Sequence, residues 1–499
     1  MSGDTTIALS LISHTNTGKT TLARTLLRRD VGDVRDAPHV TVEPAAYPLI
    51  DTQAGDHLVL WDTPGFGNSA RLARRLAQQG NPVGWFLAQV WDRFRDRAFW
   101  LTQQAVRNVR ERADVVLYLV NAAEAPADAG YLAPELTILE WIGKPVVVLL
   151  NQTGPPSAAA AEGADEARWR AALAERPHVS AVLALDAFAR CWVHEAALFD
   201  VLAGVVPAAK QPAFARLAAA WNARRIAQFD AAIAAIAAPV AHAALDRATL
   251  PADPLMARIG RSLGMARAPG ERAEAAAEQA MAARVAADLR AATDGLIAVH
   301  ELDGRAAAEA LARVAGDVRR DTPLDEAKTA VMGGLVTGAL TGLGADIAAG
   351  GLTLGGGMLA GAVLGALGGA GVARGMNVAR DHGAITLRWD DPFLDALVAD
   401  VVLRYLAVAH YGRGRGEWRA GEFPAFWREQ AGAAVATHRA ALAALWKKRG
   451  AEPEAQRLEA EIAAVLKAIA GDVLAALYPV PVRAYASAST HSATSAGPR

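Results

Sequence analysis

The octapeptide SHTNTGKT, residues 13 to 20, follows the apolar run IALSLI and precedes TLARTLLRR. A loop between a strand and a helix can wrap phosphate with backbone N–H groups and the helix N-terminus, while a lysine reaches the terminal phosphates. In that reading Gly18 lets the backbone approach closely, Lys19 supplies positive charge and the Thr20 hydroxyl ligates Mg2+. Ser13, Thr17 and Thr21 belong to the same cradle. Ser13 stands where the pattern has its first glycine, and serine is tolerated there if φ stays negative.

A second element is LVLWDTPGFG. Asp62 closes an apolar strand, where a carboxylate can hold the Mg2+ shell, and the Gly65 N–H can meet a γ-phosphate. Between the two motifs lies HVTVEPAAY, in which Thr41 is placed to sense γ-phosphate and metal. Three phosphate elements in this order predict a nucleotide site.

The order of elements supports it. TIALSLI, HLVLW, DVVLYLV, PVVVLL and the weaker HVSAVLAL are short strands alternating with helical patterns up to about residue 205. That alternation predicts an α/β domain with a mainly parallel sheet and helices on both faces. Beyond it, Ala-, Leu- and Arg-rich helical stretches continue to about Leu477 and predict a large all-α domain.

With Asn16 two residues before Gly18, residues 1–207 resemble a translation-factor-class P-loop GTPase of the Era/TrmE type, whose first motif reads G-x-x-N-x-G-K-S/T. The resemblance implies GTP/GDP as ligand, Mg2+ as cofactor and K+ held with the help of Asn16. It also implies slow unaided turnover, because Phe66 follows D-T-P-G where Ras-like enzymes carry a water-orienting glutamine. The family reads guanine with N-K-x-D. Here the matching stretch is Asn151, Gln152, Thr153, Gly154, so the asparagine is kept and the base-binding aspartate is missing. Asp186, in LALDAF, either supplies a replacement carboxylate or caps the next helix.

The 499 residues exceed one core, and 51 basic against 52 acidic residues give a formal net charge of −1. No broad nucleic-acid footprint is expected from that balance. A lone cysteine, Cys191, excludes an intramolecular disulfide, and the residues before the first strand show no secretory signal, so a cytoplasmic location is expected.

The stretch GWFLAQVWDRFRDRAFWLTQQAVRNVRER is an aromatic-rich helix or helix pair, with Trp85, Trp91, Phe94, Phe99 and Trp100 either coupling the nucleotide domain to the rest or packing as core. From Thr329 to Ala373 only Asp346 is charged. Gly334, Gly338 and Gly342 recur every four residues, as do Gly357, Gly361, Gly365 and Gly369. This glycine-zipper pattern predicts a tight helical hairpin over 329–374, either inserted in the cytoplasmic membrane or buried in the helical domain. Helical regions are expected over 208–328 and 375–478, and a disordered tail over 479–499. The C-terminal half resembles an uncharacterised helical domain found fused to bacterial GTPase domains. The expected function is a GTP-hydrolysing switch acting on a membrane, a protein partner or a second copy. A non-hydrolysing scaffold and a dynamin-like membrane remodeller are the alternatives.

Overall fold

A computed structural model describes residues 5–14, 17–28, 45–63, 65–66, 69–77, 96–153, 159–185, 192–251, 269–302, 376–381, 384–411, 425–449 and 455–478. Among the sites read from sequence, Asn16, Thr41, Gly154 and Asp186 lie outside these residues. So do Trp85, Trp91, Phe94, the glycine-rich hairpin and the tail.

Six strands form one sheet in the order β2-β3-β1-β4-β5-β6. They are β1 (Thr5–Ser13), β2 (Ala45–Asp51), β3 (Asp56–Asp62), β4 (Val115–Asn121), β5 (Val146–Asn151) and β6 (Val179–Ala184). All neighbours run parallel except β2, which pairs antiparallel with β3 and carries a register shift beside Pro48. Proline cannot donate to a ladder, and the edge position accommodates it. β2 was not read from the sequence, because AAYPLID contains that proline and lacks a clean apolar alternation.

The side-chain period of two assigns the faces. Ile7, Leu9 and Leu11 of β1 and Val115, Leu117 and Leu119 of β4 face a core shared with α1 (Lys19–Leu27), α6 (Trp192–Val205) and the start of α7 (Gln211–Leu245). Val116, Tyr118 and Val120 face the opposite core, with α2 (Ser69–Ala77), α3 (Arg97–Arg112), α4 (Leu132–Ile142) and α5 (Ala159–Leu173). Helices therefore cover both faces. Phe99 packs in this second core beside Phe66 and Leu72, so its part is core packing within the nucleotide domain.

The chain divides into two compact units. One comprises Met1–Ala227, His410–Glu417 and Leu477–Arg499; the other comprises Gln228–Ala409 and Trp418–Ala476. The second unit is mainly helical, with the rest of α7 followed by α8 (Pro269–Val299), α9 (Asp391–Ala409), α10 (Ala425–Thr437), α11 (Arg439–Lys448) and α12 (Ala455–Leu477). In α12, Leu458, Ile462, Leu466, Ile469 and Val473 recur at helical spacing and are buried. Asp390 caps α9 by accepting the Phe393 N–H at 2.9 Å.

This unit also holds a three-stranded antiparallel sheet that the all-α expectation omits: β7 (Arg247–Pro251), β9 (Ala384–Trp389) and β8 (Met376–Asp381), in that order. β9 alternates buried Leu387 and Trp389 with Thr386 and Arg388, but six residues between a glycine-rich run and a strong helix are easily passed over. Among the described residues one helix, α7, is long and apolar enough to cross a membrane by length and composition. Its Phe214, Leu217, Trp221, Ile233, Ile236 and Val240 are buried in the protein.

Candidate functional site

In an open α/β sheet, ligands bind beyond the carboxyl ends of the strands, where successive connections leave in opposite directions. Here β1 is flanked by β3 and β4, and the residues of interest follow the ends of those strands. Ser13 ends β1, Asp62 ends β3 and Asn151 ends β5.

The phosphate loop leaves β1 through Ser13 and His14. The Ser13 hydroxyl donates to the His14 carbonyl at 2.6 Å, and the Thr17 hydroxyl donates to the same carbonyl at 3.0 Å. Side-chain hydroxyls thus hold the turn at the place of the missing glycine. Gly18 then adopts φ 89°, ψ 24°, a left-handed conformation that favours glycine, and α1 begins at Lys19. A Cβ on Gly18 would sit 2.6 Å from Asn151 Nδ2. That nitrogen donates to the Thr17 carbonyl at 2.6 Å, so fully buried Asn151 fastens the loop to β5. Thr21 is buried, and its carbonyl accepts the Thr25 hydroxyl.

Lys19 lies in the floor of the site with 8% of its surface exposed. Burial pushes its ammonium below the ordinary lysine range, opposed by Asp62 and then Glu135. Gly65 lies against it, and a Cβ there would come within 3.1 Å of Lys19 Nζ. The Phe66 N–H donates to the Ser13 carbonyl at 3.0 Å, pinning the D-T-P-G loop to the end of β1. The Phe66 ring is buried in the core, so position 66 presents no side chain that could orient a water.

The Thr20 hydroxyl donates to Asp62 Oδ2 at 2.7 Å. Asp62 Oδ1 is buried and has no hydrogen-bond partner among the described residues. Burial raises the Asp62 carboxyl above its usual range, against Lys19, Thr20 and Arg24, which favour the charged form. A buried acceptor without a donor is costly. A hydroxyl, a carboxylate and one unused carboxylate oxygen form a hard oxygen donor set of the kind Mg2+ takes. The residues fit the metal.

The structure brings together Ser13, Thr17, Gly18, Lys19, Thr20, Asp62, Gly65 and Asn151 of the residues read from sequence. It adds one that sequence reasoning missed. Glu135, in the first turn of α4, is fully buried behind the phosphate loop. His14 Nδ1 donates to its Oε1 at 2.6 Å and the Tyr118 hydroxyl to its Oε2 at 2.7 Å. The available signal was a carboxylate on an apolar helix face, among Leu132, Leu136, Ile138 and Leu139.

Residues 170–470, more than half of the chain, match the family described as "Domain of unknown function (DUF3482)". The chain belongs to that family. Ahead of the family domain, residues 9–152 match "50S ribosome-binding GTPase", which supports GTP binding by the N-terminal domain. No curated protein matches the chain in sequence.

Solved structures similar to the chain include an Era variant from Aquifex aeolicus bound to GDP.AlF4-, at 16% identity and a TM-score of 0.28 over 41% of this chain and 57% of that one. Another is Era with MgGDPNP and a 16S ribosomal RNA segment, at 17% identity and a TM-score of 0.27 over 41% and 58%. A third is a dimerization-deficient Toc33 from Arabidopsis thaliana, at 16% identity and a TM-score of 0.24 over 37% and 72%. The chain thus spans somewhat over half the length of the two Era chains.

Proposed function

We propose that the protein hydrolyses GTP with Mg2+, stimulated by K+, and that nucleotide state is relayed to the helical domain, which engages a membrane or a protein partner. The Thr20–Asp62 pair carries this reading, because its unused buried oxygen fits a metal and no other group among the described residues satisfies it. Thr20 and Asp62 would hold Mg2+ together with Thr41. Lys19 neutralises phosphate charge, Gly65 donates its N–H to the γ-phosphate, and Asn16 helps hold K+. Bound Mg2+ supplies charge neutralisation at the phosphates.

The relay is supported by fully buried Glu195 in α6. Its carboxylate takes Arg225 Nε of α7 at 2.7 Å and lies 3.6 Å from Arg28, the residue that caps α1. α1 leads in sequence toward Thr41, and α7 runs on into the second, mainly helical unit. The start of α7 is anchored as well: Arg216 grips both Asp56 oxygens at 2.7 and 2.9 Å. Just before α7, Lys210 reaches Asp114 and the Thr6 carbonyl, each at 2.8 Å. Membrane engagement would fall to the glycine-rich segment, from a cytoplasmic location.

Phosphate release by the full-length protein, in potassium and in sodium buffer and with and without anionic liposomes, tests this reading. Turnover below ~1 per minute alone, the scale of unassisted GTPases, and stimulation by potassium or by liposomes are expected. A protein that binds GTP and stays inert in every arm is the scaffold instead, a reading favoured by the burial of Phe66.

A further inference from the structure

His14 is held at both ends. Its carbonyl collects the Ser13 and Thr17 hydroxyls and lies 3.5 Å from the point a Cβ on Gly65 would occupy. Its ring stacks on Tyr131, centroids 4.4 Å apart and planes 14° from parallel, and its Nδ1 donates to Glu135. Tyr131 and Glu135 both belong to the N-terminal end of α4, Tyr131 as the N-cap residue.

A fully buried carboxylate is expensive unless both oxygens are satisfied, and an apolar residue would fill the same place in α4 more cheaply. Here both oxygens are satisfied, one by the core residue Tyr118 and the other by the phosphate loop. The carboxylate therefore has one orientation. α4 also packs on α2, through Leu132, Leu136 and Leu139 against Leu72 and Leu76, and α2 follows Gly65 in the chain. One helix thus touches the start of the phosphate loop and the helix behind the γ-phosphate loop.

We propose that Glu135 is a positioning residue of the nucleotide site: acting through His14, it sets how the phosphate loop meets the nucleotide. The pair supplants the shape that a first glycine gives this kind of loop, with a side-chain brace in place of backbone freedom. The proposal rests on the nucleotide reading above.

The test is a double-mutant cycle on the full-length protein with Glu135→Gln, His14→Ala and the double variant, plus His14→Gln as the conservative replacement. Hydrolysis of GTP is followed at saturating and limiting concentrations, release of a fluorescent GDP analogue by displacement, and folding by thermal melting. Misplacing a reacting group by about 1 Å costs on the order of 100-fold. Each single variant should lower kcat by about 10- to 100-fold. KM should move less than about threefold. Tm should change little for Glu135→Gln and His14→Gln, and fall for His14→Ala, which leaves one oxygen of a buried carboxylate without its partner. The double variant should be no slower than the slower single one, because residues acting in series are non-additive. His14→Gln, whose amide can still donate to Glu135, should recover most of the loss.

Multiplying effects in the double variant, rates within about twofold of wild type, or, for Glu135→Gln, loss of Tm in step with activity would overturn the proposal. If the wild type binds nucleotide without hydrolysing it, the hydrolysis reading fails, and the same cycle is read on GDP release. Release that ignores both substitutions then overturns this proposal alone, while a wild type that binds no nucleotide overturns both.

Discussion

Asn151 Nδ2 donates to the Thr17 carbonyl at 2.6 Å, joining the end of β5 to the phosphate loop across 134 residues of sequence. The same nitrogen lies 2.6 Å from where a Cβ on Gly18 would stand, and Gly18 has φ 89°. Asn151, read from sequence as a base contact, is thus also a fastener of the loop.

Gly18→Ala should therefore fail twice, through left-handed backbone strain and through displacement of Asn151. Strain of roughly 1–3 kcal/mol at such a position corresponds to about 5- to 150-fold in affinity if it is borne by the bound state. Titration with a fluorescent GDP analogue checks this. Adding Asn151→Ala removes the collision and leaves the strain, so the double variant should not regain wild-type affinity.

Asp62 gives a pH-dependent prediction. Its folded carboxyl lies above the ordinary carboxylate range because it is buried. Between the unfolded and folded values, the folded state keeps a proton that the unfolded state has released. Without nucleotide, stability from this group is present at acid pH and is lost as pH rises through the raised value. Asp62→Asn should melt higher than wild type at neutral pH, with the difference vanishing toward pH 4, and should lose Mg2+-dependent nucleotide affinity. Melting curves across pH check the first part; equal Tm values at all pH would refute it.

Arg225 and Glu195 are a buried pair, 3% and 0% exposed. Burial pulls the Arg225 guanidinium down to about 10, with Glu195 opposing. Arg225→Ala leaves Glu195 with Arg28 at 3.6 Å and should cost about 3 kcal/mol in denaturant unfolding, the scale for breaking a buried pair. The double variant Arg225→Met, Glu195→Leu should recover much of that loss.

Base discrimination should be modest. Gln152, at φ 58°, and Thr153 follow Asn151, and no aspartate stands where the guanine-reading carboxylate belongs. Sites that pair every buried polar group with the substrate reject analogues by about 10^4 or more. GTP should outcompete ATP by less than that, and Asp186→Ala should narrow the gap further if that carboxylate replaces the missing one. Competition among GTP, ATP and XTP measures both.

The residues that announce themselves in sequence do so through local pattern. Gly18, Lys19 and Thr20 follow a strand, Asp62 ends one, and the five apolar runs alternate with helical stretches, so the α/β fold and the grouping of these residues at the strand ends are legible in the sequence. Hydrophobic period and loop chemistry are properties of neighbouring residues, which is why they survive in one dimension. Glu135 beside His14, Asn151 on Thr17, Arg225 on Glu195, and β7 beside β9 join residues far apart in the chain. No period marks such pairs, and a glutamate or arginine has the same letter whether solvated or buried. Only packing, which removes water and forces each buried charge to find a partner, decided that these residues brace the loop and tie α1 to α7.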